Sequence, residues 1–214
     1  MTESQALLYV HMNPSPAAED ALNAWYDQHA LARLALPGVN TAVRYKNVGT
    51  GGAPYLALYD LDDAAVLDGQ AYRDLRAREI PNDEALMGQL TLLDRRVYKA
   101  LDVGQPWTAP WTDHAPFIVS MTMDPRPDMV DDWHAWYHEE HIPVLMEIKG
   151  WRRIRRFEQL ESTRPSFLAL HELESLDIFD TQAFKAATST PWRNRVFGYV
   201  TRRERITFRL LRGY

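Results

Sequence analysis

The chain has 214 residues, no cysteine, and 29 acidic against 24 basic side chains, which gives a formal charge of −5. The lack of cysteine excludes disulfides, thiolate metal sites and a cysteine nucleophile, and the acidic balance argues against a general nucleic-acid binder. No apolar stretch approaches the roughly 20 residues of a membrane span, and the N-terminus has no basic start before an apolar run. We therefore expect a cytoplasmic protein that binds a small molecule, with neither nucleic acid nor membrane as a partner.

The first half predicts the order strand, helix, strand, strand, helix, strand. Short runs of strand formers indicate the strands, helical spacing of apolar residues indicates the helices, and Pro-Gly or Gly-rich segments indicate the turns. The predicted strands are residues 6–12, 39–48, 55–61 and 95–101, and the predicted helices are residues 17–36 and 64–80, the latter broken near Pro81.

The second half predicts the same order. Its predicted strands are residues 117–123, 151–160, 167–173 and 205–211, and its predicted helices are residues 127–145, interrupted near Pro143, and 176–187. A segment rich in proline and tryptophan separates the halves, and its prolines fit neither a helix nor a central strand. We therefore divide the chain into a module at 1–101, a linker at 102–115 and a module at 116–214.

A shift of 112 residues aligns the sequence with itself, which is typical of an internal repeat. Residues 54–61 (PYLALYDL) fall on residues 166–173 (SFLALHEL), with four identical positions. The same shift places His29 on His141, Gly38 on Gly150, Arg44 on Arg156 and Trp25 on Tyr137. This agreement predicts a tandem duplication.

The repeated order predicts an α+β fold made of two tandem ferredoxin-like βαββαβ modules. Each module has one open sheet face, so we expect the modules to pack sheet to sheet within the chain, as an intramolecular dimeric α/β barrel.

A motif in the second half supports this fold by resemblance. Trp136-Tyr-His-Glu-Glu-His-Ile-Pro143, followed by Gly150 and a strand, resembles the signature of the dimeric α/β-barrel superfamily, EthD-like branch; Trp25-Tyr-Asp-Gln-His29 resembles a weaker first copy. The resemblance implies a pocket between the sheet and the helices of a module. It also implies a range of activities: polyketide cyclases, a lactone isomerase, quinone-forming monooxygenases and haem enzymes.

The candidate catalytic residues are mostly histidines, because histidine suits acid–base chemistry near neutral pH. His29 and His141 take matching places on the first helices, where each is a general base, a substrate anchor, or a structural histidine bonded to the backbone. His171 and His11 lie on predicted central strands. We expect His11 and Tyr59 to lie side by side on parallel neighbouring strands, as a base and an oxyanion donor; the alternative is a wet edge of the core.

Aromatic and basic residues are the candidates for substrate binding. Trp25, Tyr26 and Tyr137 on the first helices suit a flat ring, although aromatics at helical spacing are more often core. Arg44 and Arg156 match across the halves, either as structural ion pairs or as a clamp for an anion. Histidines 134, 138 and 141 share one helix face, which is read as a polar face, and no metal site is expected.

The favoured hypothesis is a cofactor-independent enzyme. It would use His and Tyr acid–base catalysis for isomerisation, cyclisation or lyase-type cleavage of a small aromatic or polyketide-like molecule. Two alternatives stay open: an oxygen-using relative, either a cofactor-free monooxygenase or a haem protein, and a non-catalytic stress-response module that binds a small ligand. Beyond the substrate, the expected partner is a second copy of the chain, in a homodimer of the intramolecular pseudo-dimer.

Overall fold

The computed structural model describes residues 4–109, 113–161 and 165–214, without the side chains of residues 79–83. In the first half, strands and helices follow the predicted order. They are β1 (Ala6–Pro14), α1 (Glu19–Leu34), β2 (Val39–Asn47), β3 (Tyr55–Leu61), α2 (Gln70–Met87) and β4 (Leu90–Ala100).

The second half has the same strand order, with its helical segments divided into shorter pieces. They are β5 (Phe117–Pro125), α3 (Val130–Trp136), α4 (Ile142–Met146), β6 (Trp151–Gln159), β7 (Phe167–Leu173), α5 (Gln182–Ala187), α6 (Pro191–Tyr199) and β8 (Val200–Gly213). Of the predicted linker, Pro106–Thr108 forms a short 3-10 turn, and residues 110–112 lie outside the described residues.

The described strands close into one antiparallel barrel in the order β1-β3-β2-β8-β5-β7-β6-β4. Each half contributes four neighbouring strands, and the halves join edge to edge, because β4 pairs with β6 and β2 pairs with β8. The predicted fold, two ferredoxin-like units forming an intramolecular dimeric α/β barrel, is confirmed. Closure leaves no free strand edge in the barrel.

Alternation along the strands separates the barrel interior from the faces that pack on helices. On β1 and β3, Leu7, Tyr9, Leu56 and Leu58 belong to the interior core, which both halves share. Residues one step away belong instead to two outer cores, one under the helices of each half. Candidate sites can therefore lie either inside the barrel or beneath the helices.

Equivalent positions in the two halves are offset by 111 residues early and by 112 residues later. Ala6 lies opposite Leu61 and Phe117 lies opposite Leu173, so the first strands differ by 111 while the third strands differ by 112. The extra residue lies in the helical segment between them, where Tyr137–His141 form a π-helical turn between α3 and α4. One residue added to an α-helix is commonly accommodated as such a turn.

Several predicted element bounds were wrong. Helix α2 does not break near Pro81 but continues to Met87; residues 76–78 and 84–85 flank the proline and are exposed, so water can take the carbonyl that a proline frees. Helix α6 was not predicted, although Thr190 caps it and Pro191 starts it. The segment near Pro143 is a π-turn rather than a break. No helix in the described part of the chain is long and apolar enough to cross a membrane.

Gly150 occupies a conformation that L side chains rarely adopt. Its φ is 89°, and its carbonyl accepts a hydrogen bond of 2.9 Å from the Glu174 backbone nitrogen. Gly38, with a φ of 82°, makes the same contact to Asp62. We expect Gly150→Ala to lower the free energy of unfolding by about 1–3 kcal/mol, because alanine is strained at this φ. A Cβ there would also lie 3.2 Å from the Ile178 Cδ1 atom.

The matched control is Gly198→Ala in α6, where an added Cβ meets nothing within 4 Å. Alanine favours a helix, so this variant is expected to lose no stability. Urea unfolding of both variants measures the difference. Equal stability of Gly150→Ala and Gly198→Ala would contradict the argument from backbone strain.

Candidate active site

A cavity of about 100 Å³ lies in the second half between the sheet and the helices. Strands β5, β6, β7 and β8 form its floor, and the helical segments cover it. The lining residues are Val119, Met121, Met123, Tyr137, His141, Leu145, Trp151, His171, Phe179, Phe184, Thr188, Arg193, Phe197 and Arg205. We call this space the second-half cavity.

The π-turn places Tyr137 and His141 at the second-half cavity. Both side chains are buried, and the Ile142 backbone nitrogen donates to the Tyr137 carbonyl, five residues earlier. Pro143 follows immediately and has no N–H for a regular helical bond. The indole ring of Trp136 stacks on the imidazole of His141, with ring centroids 4.2 Å apart.

Strand β7 places His171 at the same cavity. Phe167, Ala169 and Leu173 share the face of β7 that packs under the helices, and His171 lies on that face too, two residues from each of its neighbours there. Its side chain is 4% exposed. The rings of His141 and His171 are 6.3 Å apart, and the indole of Trp151 meets His171 edge to face at 5.5 Å.

Three buried polar atoms at the second-half cavity have no hydrogen-bond partner among the described residues. They are the Nδ1 atoms of His141 and His171 and the Nε1 atom of Trp151. Leaving one such atom unpaired costs about 1–3 kcal/mol. Three of them around one cavity are typical of a site built to receive a polar ligand.

Both histidines are neutral at pH 7. Burial, with Arg205 as a weaker cause, lowers the pKa of His171 to about 3. Burial also holds the pKa of His141 well below its usual value, and His171 and Arg193 act in the same direction. Each imidazole can therefore accept a proton or donate an N–H, depending on what enters the cavity.

Side chains fill the corresponding space in the first half. By register, Tyr59 holds the place of His171, since Tyr59 lies opposite Leu8 and His171 lies opposite Val119. The Tyr59 hydroxyl donates to the Tyr26 hydroxyl at 3.3 Å. The guanidinium of Arg44 lies 4.4 Å above the Tyr26 ring and donates to Asn23 Oδ1 at 2.8 Å. The polar groups that replace the histidines thus bond to one another.

The predicted His11–Tyr59 pair is wrong. Strands β1 and β3 are antiparallel, and His11 lies opposite Leu56. The β2–β3 hairpin reverses the chain, so the third strand runs against the first. His11 lies on the interior face of β1, where its Nε2 donates to the Ala53 carbonyl at 2.9 Å, whereas Tyr59 packs under the helices.

Two sequence matches between the halves are also wrong, because the offset before the π-turn is 111. His11 and Thr122 face Leu56 and Leu168 respectively, so the counterpart of His11 is Thr122 and not Met123. By the same offset Trp25 corresponds to Trp136, and Tyr26 corresponds to Tyr137. His29 is half-buried beside Trp25, with ring centroids 3.9 Å apart, and neither of the two cavities described here includes it.

Arg156 lies at a second cavity of about 390 Å³, at one mouth of the barrel. Its guanidinium donates two hydrogen bonds to Asp102, at 2.6 and 2.8 Å. The other charged groups there are paired as well: Arg155 binds Asp60 and Arg153 binds Glu172. We prefer the smaller second-half cavity as the candidate site, because its polar atoms lack partners.

Trp151, Arg193 and Arg205 were missed as candidate residues, although they line the second-half cavity. Arg193 lies in the Thr190–Arg193 segment that carries part of the family resemblance, so a signal was present. Arg205 and Trp151 gave none, because the side of a strand that faces a cavity depends on the register of the closed barrel.

No protein-family model and no curated protein matches the sequence. Solved structures match it along almost the whole chain. A protein provisionally described as a monooxygenase, from Fusobacterium nucleatum, has a TM-score of 0.68 at 11% identity, with 100% of this chain and 95% of that chain covered. An anthrone oxidase-like protein has a TM-score of 0.66 at 13% identity, with 99% and 93% covered. A haem-binding protein from Thermus thermophilus has a TM-score of 0.60 at 14% identity, with 98% and 92% covered.

This chain has the dimeric α/β-barrel fold. The identities are so low that the similarity concerns the fold alone, since one fold hosts many chemistries. Haem does not fit the second-half cavity: its volume of about 100 Å³ is below the roughly 300–1,000 Å³ that drug-sized ligands need. Trp136 and Trp151 also pack against the two histidine rings. Among the described residues no three His, Asp or Glu side chains form a metal-ligand group.

The lowered histidine pKa values make stability depend on pH. The pKa of His171 is about 3 in the folded chain and roughly 6.5 in an unfolded one. Between these values the unfolded chain binds more protons, so folding stability falls as the pH falls below about 6.5. We expect His171→Asn to remove up to about 1.4 kcal/mol per pH unit from this slope. Urea unfolding from pH 5.0 to 7.5 measures it, and a slope equal to that of the wild type would contradict the assignment.

Proposed function

We propose that the chain is a cofactor-independent enzyme whose active site is the second-half cavity. Its substrate is a small aromatic molecule with an acidic C–H bond beside a carbonyl, and its chemistry is proton transfer by His171 and His141. The observation that carries the proposal is the group of three unpartnered buried atoms, two of them imidazole nitrogens, around one small cavity. Tyr137, Trp151 and Phe184 supply flat apolar walls that suit a ring.

The proposed reaction begins with removal of a proton from carbon. A neutral imidazole nitrogen takes the proton, the C–H electron pair moves into the adjacent carbonyl, and an enolate forms. Burial raises the pKa of Tyr137, so this phenol keeps its proton and can donate a hydrogen bond to the enolate oxygen. The negative enolate in turn stabilises the new imidazolium, which raises the basicity of the histidine where the proton must go.

Return of the proton to another carbon completes an isomerisation, and attack of the enolate on a second carbonyl completes a cyclisation. Loss of a leaving group gives lyase-type cleavage. All three share the first step, so the proposal rests on proton abstraction and not on the final product.

An oxygen-using enzyme is the second candidate. The structural similarity to the provisional monooxygenase and to the anthrone oxidase-like protein favours it. Anthrone carries an acidic methylene group beside its ring carbonyl, so proton abstraction suits such a substrate as well. In this alternative the carbanion reacts with dioxygen in place of a proton.

We also infer that the two halves arose by tandem duplication, with boundaries near 1–101, 102–115 and 116–214, and that the chain is related to the EthD-like branch. Recurrence of the Gly38 and Gly150 contacts and of the strand registers supports the duplication. On this proposal the first half serves as the scaffold, and His11, His29 and Tyr59 take no part in catalysis.

Deuterium exchange tests the proposed function. 2-Indanone, a compact neutral ketone with acidic benzylic protons, is incubated with the protein in D2O under nitrogen and followed by proton NMR. We expect exchange above the buffer rate, and we expect His171→Ala and His141→Ala each to reduce it by about 100-fold or more, as for loss of a general base.

His138→Gln is the matched control. His138 lies in the same π-turn, but its Nε2 bonds Asp102 at 2.6 Å outside the cavity, so this variant should exchange like the wild type. Exchange no faster than in buffer, or unchanged in both cavity variants, would defeat the proposal. Oxygen uptake with anthrone in air then separates the second candidate from the first.

A further inference from the structure

We propose that the second-half cavity recognises its substrate as a carboxylate anion, which Arg193 and Arg205 bind while the aromatic ring enters the cavity. This inference rests on the proposed function for the location of the site, and it adds the class of substrate. Arg193 lies on α6 and Arg205 lies on β8, so two separate elements bring the guanidinium groups to one cavity.

Phenylalanine rings support both guanidinium groups. Arg193 lies 4.1 Å above the ring of Phe197, and Arg205 lies 4.5 Å above the ring of Phe179. A third arginine, Arg203, lies 4.6 Å from Phe197. Stacking on an aromatic face orients a guanidinium and leaves its N–H groups free for a planar acceptor.

Neither arginine forms an ion pair with an acidic side chain in the described part of the chain, and no aspartate or glutamate lines the cavity. The contrast with other arginines is clear: Arg96 binds Asp94, Arg155 binds Asp60, and Arg156 binds Asp102. Positive charge that faces a largely apolar cavity without a counter-charge attracts an anion.

The electrostatics of the arginines and histidines agree with this reading. Burial lowers the pKa of Arg205, and burial together with Arg203 lowers the pKa of Arg193. The same positive groups lower the pKa values of His141 and His171. A bound anion would offset all of these effects together, and it would raise the basicity of the two histidines when the substrate is present.

The cavity walls favour a carboxylate on a single ring. The rings of Trp151 and Phe184 lie nearly parallel, with an interplanar angle of 20° and centroids 6.1 Å apart. Volumes near 100 Å³ are close to the roughly 150 Å³ of an engineered cavity that holds benzene. A carboxylate matches the fork of a guanidinium through two parallel hydrogen bonds.

Equilibrium binding of benzoate and of benzamide, its neutral isostere, tests the proposal without requiring turnover. We expect the wild type to bind benzoate at least tenfold more tightly, as for a charged hydrogen-bonded group. Arg193→Gln and Arg205→Gln keep part of the side-chain stem and should each weaken benzoate binding by about tenfold or more without changing benzamide binding. Benzoate affinity should also rise as the pH falls from 7.5 to 5.5, because the anion favours imidazolium.

Two arginines outside the cavity are the controls. Arg195 is next but one to Arg193 on α6 and binds Asp132 at 2.6 Å; Arg202 lies on β8 opposite Asp124. Arg195→Gln and Arg202→Gln should bind benzoate like the wild type. Equal affinity of the wild type for benzoate and benzamide would overturn the proposal even if a variant misfolds, and so would unchanged benzoate binding in both cavity variants.

The two proposals fail separately. Benzoate preference without exchange of 2-indanone would leave an anion-binding cavity and remove only the proposed enzymatic function. Exchange of the neutral ketone without benzoate preference would leave the enzyme and remove only the carboxylate recognition.

Discussion

Edge pairing between the two halves is the constraint on which the rest of the structure depends. An open four-stranded sheet exposes two edges and one apolar face, and neither is stable in water. Pairing of β4 with β6 and of β2 with β8 removes the edges, and the interior core formed by both halves covers the faces. Once the interior is filled, each set of helices packs on the outside, and a separate outer core lies beneath it.

One extra residue makes the two outer cores different. Up to the first helix the halves correspond at an offset of 111, and after it they correspond at 112; the π-turn at Tyr137–His141 takes up the difference. Helix α1 has no such turn, and Leu31 stands where α4 has Pro143. The turn brings Tyr137 and His141 to the cavity wall. A local change in helix geometry thus accompanies the difference between a filled core in the first half and a cavity in the second.

Local patterns predicted the strands well, and pairings between distant segments were predicted poorly. The bounds of β3 and β7 were correct, because short runs of strand formers between turn residues are strong local signals. The bulk of β1 and β5 was also found. The side-by-side placement of His11 and Tyr59 failed because it needed the relative direction of two strands, which a hairpin determines. The use of a single offset of 112 concealed the π-turn, since an inserted residue in a helix leaves the apolar pattern almost unchanged.

The energetic contrast between the halves explains why the cavity is the better candidate for a site. In the first half, Tyr59, Tyr26, Arg44 and Asn23 satisfy one another's polar groups, and the structure gains stability from them. In the second half the corresponding polar atoms stay unpaired, at a cost of about 1–3 kcal/mol each. Marginally stable proteins tolerate few such groups. A ligand that supplies acceptors to the imidazoles and an anionic group to the nearby arginines would recover that free energy on binding, so the least stable polar arrangement in the described chain is also the one best prepared to bind.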